Sequence, residues 1–148
     1  MAKTVLTLQN QGKPHPFTGG MITVKQQTDQ GAVTVETLPP PARSPEMDGH
    51  ANFTLIRLIV DLKLTKASAI DFPARLRVNL TSGDIHQFQA AEQAAKQAGK
   101  APPSLKMAYW DKSQKRWVML IKAASSLAEG YIEADYSKVG DPPIAVGH

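Results

Sequence analysis

The sequence predicts an all-β protein, an antiparallel β-sandwich of immunoglobulin-like type with one short inserted α-helix, in a single domain spanning residues 1–148. Three observations carry that prediction. Residues alternate with period two from Phe53 to Leu64, where Ile56, Leu58, Val60, Leu62 and Leu64 share one parity while Arg57, Asp61 and Lys63 share the other. Strand-length runs of the same kind recur along the chain, and Gly-, Asp- and Pro-bearing separators punctuate them, as in sandwiches and barrels.

The first strands are expected at Thr4 to Leu8, Met21 to Lys25 and Ala32 to Thr37, divided by Gly19-Gly20 and Asp29-Gln30-Gly31. Pro39 to His50 (PPPARSPEMDGH) has no periodicity. The consecutive Pro39, Pro40 and Pro41 impose extended geometry, so this segment is expected on the surface as a stiff loop, or as an arm reaching a neighbouring subunit. In the Phe53 to Leu64 strand, Leu55 and Ile59 sit on the otherwise polar parity and imply partial cover of that face.

Ala74 to Leu80 reads as the next strand, with Ser82-Gly83-Asp84 as a turn. Gln89 to Ala98 is rich in Ala and Gln, pairs Glu92 with Lys96, and stops at Gly99 before Pro102-Pro103, which predicts a short crossover helix. Strands follow at Leu105 to Asp111, Arg116 to Ile121, Tyr131 to Tyr136 and Ile144 to Val146, separated by Glu129-Gly130 and Gly140-Asp141-Pro142-Pro143.

Composition excludes several function classes. The 148 residues, 16.0 kDa, carry no cysteine, so disulfides, zinc-thiolate sites and thiol nucleophiles are out. No apolar run approaches the roughly 20 residues of a membrane-spanning helix, and no secretion signal is visible, so a soluble chain without membrane insertion is expected. The formal charge of +4 is a mild bias towards anionic partners. Nucleophile elbows, zinc-protease pairs, phosphate cradles and EF-hand loops are not found in the sequence, and neither enzymatic activity nor a cofactor is expected.

The richest local segment is Tyr109-Trp110-Asp111-Lys112-Ser113-Gln114-Lys115-Arg116-Trp117-Val118. A four-residue hairpin loop at 112–115 sets Asp111 opposite Arg116, Trp110 opposite Trp117, Tyr109 opposite Val118 and Met107 opposite Leu120. Both tryptophans then share a face with Ala108 and Met119. That face is either covered as a second small core or open for a protein interface or a sugar ring. Candidate contact residues are therefore Trp110, Trp117, Met119 and Arg116, with Pro39, Pro40 and Pro41 of the arm.

The histidines His50 and His86 each follow an aspartate, Asp48 and Asp84, at a two-residue spacing, a weak metal pattern that lacks a third ligand; no metal is expected. Arg57, Lys63, Arg75 and Arg77, if their strands pair, would share a basic face, joined by Lys112, Lys115 and Arg116 at the hairpin. Asn52-Phe53-Thr54 and Asn79-Leu80-Thr81 match the N-glycosylation pattern, are expected at strand positions, and are attributed to chance.

The succession of the strand from Phe72-Pro73 to Leu80, the Tyr-Trp-Asp hairpin returning through Trp117-Val118, and Gly130-Tyr131-Ile132-Glu133-Ala134-Asp135-Tyr136-Ser137 before a terminal apolar strand resembles ZU5-like and related immunoglobulin-like β-sandwiches. The resemblance covers the C-terminal half. It implies an interaction, spacer or assembly module, with departures at Val139 to Pro143 and at the inserted helix. The expected role is a non-enzymatic structural or interaction module that joins protein subunits, as a homo-oligomer, through sheet edges, the Pro-rich arm and the Trp hairpin, in a surface layer, filament or viral particle. The alternatives are a carbohydrate-binding module on Trp110 and Trp117, and a nucleic-acid-binding domain on the basic face.

Overall fold

A computed structural model describes residues 3–6, 12–26, 33–64, 70–137 and 142–148. Its strands are β1 (Lys3–Leu6), β2 (Pro14–Phe17), β3 (Gly20–Gln26), β4 (Val33–Leu38), β5 (Leu55–Leu64) and β6 (Ile70–Asn79). After the helix α1 (Ser82–Gln97) come β7 (Lys106–Asp111), β8 (Arg116–Met119), β9 (Ile121–Ser126), β10 (Tyr131–Tyr136) and β11 (Pro143–Gly147). One sheet has six strands in the order β1-β4-β5-β11-β7-β8, the other five in the order β2-β3-β6-β10-β9. Every pairing is antiparallel. The chain is therefore an all-β sandwich with one helix, which carries it from the five-stranded sheet to the six-stranded one.

The main core lies between the sheets. From one side come Ile22 and Val24 of β3, Leu76 and Val78 of β6, and Ile132, Ala134 and Tyr136 of β10; from the other come Val60, Leu62 and Leu64 of β5, Met107, and Ile144 and Val146 of β11. Strict alternation along β6 and β10 delivers this set, because each second residue turns inward and its neighbours Arg75, Arg77, Glu133 and Asp135 turn out.

β5 departs from the expected parity. Its register against β11 shifts between Ile144 and Ala145, where Val60 and Leu58 are the partners, and again between Val146 and Gly147. The first irregularity puts Ile59 into the main core beside Val60 and sends Leu58 to the opposite face; Leu55 also faces that side. The cover that Leu55 implied is thus real, whereas Leu58 and Ile59 exchange the faces that simple alternation assigns them.

Other differences are local. The helix begins at Ser82, seven residues before the expected Gln89. Thr81 caps it: its hydroxyl accepts from the Asp84 N–H at 3.1 Å while the Asp84 carboxylate accepts from the Thr81 N–H at 2.9 Å. Ser-Gly-Asp is turn chemistry and helix-start chemistry alike, which is why it reads as a turn. β2 and β9 were not expected as strands; Pro-His-Pro-Phe and Ile-Lys-Ala-Ala-Ser-Ser lack the alternation that marks the others. Asn52 lies in an exposed turn, not in a strand. Residues 7 and 8 of the first expected strand, Ala32 of the third, the turn at 29–31 and residues 139–141 of the last connection lie outside the described residues.

Candidate functional site

The outer face of the six-stranded sheet carries the predicted hairpin in the predicted register: Asp111 opposite Arg116, Trp110 opposite Trp117 and Tyr109 opposite Val118. The Leu120 N–H donates to the Met107 carbonyl at 3.0 Å, so alternate pairs exchange hydrogen bonds and the Trp110–Trp117 pair between them does not. Side chains approach most closely at such positions, and the indoles meet edge to face with centroids 5.0 Å apart.

Both indoles are covered. Trp110 is 3% exposed and Trp117 2%, so of the alternatives open from the sequence the covered second core is the one found, and neither indole is presented at the surface. The cover comes from the chain after the prolines. A single 3-10 turn, Pro45–Met47, drops Met47 onto the sheet, and Phe53 follows with its ring 4.9 Å from Trp117. The Trp117 indole N–H donates to the Met47 carbonyl at 2.8 Å, the His50 ring stands edge-on to Trp110 at 5.4 Å, and Asn52 donates to the Trp117 carbonyl at 3.2 Å. That last bond lands on the open side of β8, because a non-bonded pair turns its backbone groups away from the partner strand. Met47, Phe53, Leu55, Ala108, Trp110, Trp117 and Ala145 form a second core, with Leu58 and Met119 half-buried beside it.

The Pro39 to His50 segment is therefore not one free arm. Pro39 and Pro41 are exposed and Pro40 is half-buried, but the following residues are tied down: Arg43 binds the Asp48 carboxylate and donates to the Leu55 carbonyl at 3.3 Å, His50 Nε2 donates to the Glu46 carbonyl at 2.7 Å, and Glu46 pairs with Lys115 at 3.6 Å. The hydrogen bond from Arg43, then its charge, hold the Asp48 carboxyl below its ordinary pKa. Arg116 remains exposed at the hairpin tip.

The outer face of the five-stranded sheet is built from charges. Arg75 donates to Glu133 at 3.1 Å and to Asp135 at 3.0 Å, Arg77 donates to Glu133 at 3.1 Å, and the Arg77 guanidinium lies 3.9 Å from the centroid of the Tyr131 ring. Burial raises the Glu133 carboxyl and the two arginines lower it further, so it ends below its usual range. The alternating charges of Ala74 to Asn79 and Tyr131 to Tyr136 were the available signal for this ladder. It also dissolves the expected basic face: Arg57 and Lys63 belong to β5 in one sheet, Arg75 and Arg77 to β6 in the other, and the latter two are matched by carboxylates.

The Asp-x-His pairs separate as well. Asp84 takes three hydrogen bonds from Arg57, at 2.9 to 3.1 Å, while His86 is exposed on the helix. Burial pushes the Asp84 carboxyl up; the bonds from Arg57 and the Thr81 backbone outweigh it and leave the group below its ordinary value. Among the described residues no three His, Asp or Glu side chains gather as a metal site, and no helix is long and apolar enough to cross a membrane.

Among the described residues, an accessible apolar feature lies at the rim where the chain passes from β8 to β9. Tyr109 of β7 meets Tyr136 of β10 at 6.4 Å, so those strands face each other and β9 overhangs the β8 side. There a cleft of about 250 Å³ opens between Tyr109, Val118, Leu120, Ile121 and Asp135. Five of the six β9 residues are exposed and Ile121 is 60% exposed, with Val5 of β1, on the opposite rim, at 49%. No family model, curated protein or solved structure matches the chain.

Proposed function

We propose that this chain is a non-enzymatic structural module that joins further copies of itself along the β9 rim. The observation that supports this reading is β9 itself, an edge strand with five of its six residues exposed that carries Ile121, the most exposed large aliphatic residue among the described residues, beside an apolar cleft. Half of the backbone N–H and C=O groups of an edge strand point away from its neighbour and are open to another strand. Two of the other edges are guarded: Pro14 and Pro16 remove donors from β2, and Asn52 occupies a carbonyl of β8.

At the start of β9, Lys122 has a positive φ of 54° and gives its carbonyl to Arg75 at 2.8 Å, which bends that end away from pairing. Ala123 to Ser126 remain, small side chains that oppose one another without clash or like charge. Pairing of β9 with β9 closes as a dimer; pairing of β9 with β1, which bears Val5, propagates as a filament. The exposed Pro39 and Pro41 and the ZU5-like resemblance fit the same role.

Sedimentation over a range of concentrations tests it. The chain is expected to exceed its 16.0 kDa monomer mass as concentration rises, and Ile121→Lys and Ala124→Pro are expected to restore the monomer. A monomer at every concentration overturns the reading.

A further inference from the structure

The direction of the backbone groups on β9 follows from hydrogen bonds across the five-stranded sheet. In an antiparallel ladder successive residues turn their N–H and C=O groups alternately to one neighbouring strand and to the other. The Leu80 N–H donates to the Gly130 carbonyl at 2.8 Å, so even-numbered positions of β10 bond towards β6 and the odd ones, Tyr131 and Glu133, bond towards β9. Their partners there are Ser126 and Ala124. The Gly130 N–H, which donates to the Ser126 carbonyl at 2.8 Å, closes the turn at that end. Ala123 and Ser125, both exposed, therefore turn their backbone groups away from the sheet.

Each copy of the chain thus offers two donors and two acceptors on alternate residues of one edge. Antiparallel pairing of β9 with β9 matches all of them in a single register. With a two-fold axis at Ala124, Ala123 meets Ser125 of the second copy, Ser125 meets Ala123 of the second copy, and each pair exchanges two hydrogen bonds. An axis at Ala123 sets Ser125 against Ile121, beyond the bend at Lys122; an axis at Ser125 sets Ala123 against Leu127, in the turn. Both of those lose half of the bonds.

The side chains agree with the axis at Ala124. That residue lies opposite Glu133, on the outer face, and would meet its own copy as a non-bonded pair, where Cα atoms approach to about 4.5 Å; alanine fits there without clash, and a charged residue would face its like. The two Lys122 positions fall four residues apart along the ladder, roughly 13 Å, which exceeds the screening length at physiological salt.

We propose that β9 pairs with β9 of a second copy about a two-fold axis at Ala124, closing a dimer in which the two five-stranded sheets become continuous. This inference rests on the self-association proposed above and selects the closed dimer over a filament built through β1.

The chain has no cysteine, so single cysteines report the register. Under mild oxidation Ala124→Cys is expected to give a covalent dimer of twice 16.0 kDa, because a non-bonded pair holds its Cα atoms within disulfide range. Ala123→Cys and Ser125→Cys, whose thiols would face a serine and an alanine of the second copy, are expected to cross-link about tenfold more slowly. Sedimentation of the unmodified chain separates the two levels. A monomer at every concentration overturns self-association and this dimer with it. In a chain that does associate, fastest cross-linking through Ala123→Cys or Ser125→Cys, equal rates for all three variants, or a mass that grows without limit overturns the axis at Ala124 and leaves self-association standing.

Discussion

The two sheets solve the problem of their outer faces in opposite ways. The six-stranded sheet buries its outer face under Met47 and Phe53 with two indoles, so β11 is buried on both sides. The five-stranded sheet leaves its outer face wet and fills it with a ladder of paired arginines and carboxylates. One face therefore adds stability through removal of apolar surface, at about 25 cal/mol per Å², whereas exposed pairs add at most about 1 kcal/mol each. Stiffness and stability of the domain should reside in the former, and surface character in the latter.

Urea denaturation of single variants tests that division. Trp117→Ala is expected to cost about 4 kcal/mol, because it empties the second core and strands the Met47 carbonyl; a loss below about 1 kcal/mol would mean the cover is not a core. Gly147→Ala is expected to cost about 2 to 3 kcal/mol, since its Cβ would run into the Thr54 carbonyl and the Phe53 ring.

Asp84→Asn, in the first turn of the helix, is expected to cost about 2 kcal/mol at neutral pH by leaving Arg57 without its carboxylate partner. The folded carboxyl titrates below its unfolded value of about 3.9, so its contribution is full above that value and disappears as pH falls through the folded one. The gap between wild type and this variant should accordingly be constant above about pH 5 and close in stronger acid. Arg77→Ala, on the wet face, is expected to stay within about 1 kcal/mol, and a larger loss would erase the contrast between the faces.

Where local pattern decides structure, the sequence was readable. The Asp111–Arg116 and Trp110–Trp117 pairings follow from a short loop and two complementary residues, and the inward set of β10 follows from strict alternation. Where distant residues decide, it was not. Nothing near Trp117 indicates that Met47, seventy positions earlier, accepts from its indole, and the exposed-indole alternative stayed open for that reason. The bulges of β5 are set by β11 across the sheet. The grouping of Arg57 with Arg75 required knowing which strands are neighbours. β9 was silent because a strand that buries neither face needs no alternation, and that silence is what marks it as a candidate contact edge.

The position of β11 has a bearing on how the molecule comes into being. It is the last of the described strands, yet it is inserted between β5 and β7, which among the described residues are joined to each other by nothing else in that layer. A ribosome must deliver residue 147 before the larger layer can exist as one piece. Until then two oily slots stay open on the nascent polypeptide, a long-range closure of the kind that makes β-rich domains slow to mature and dependent on protection from clumping while they wait.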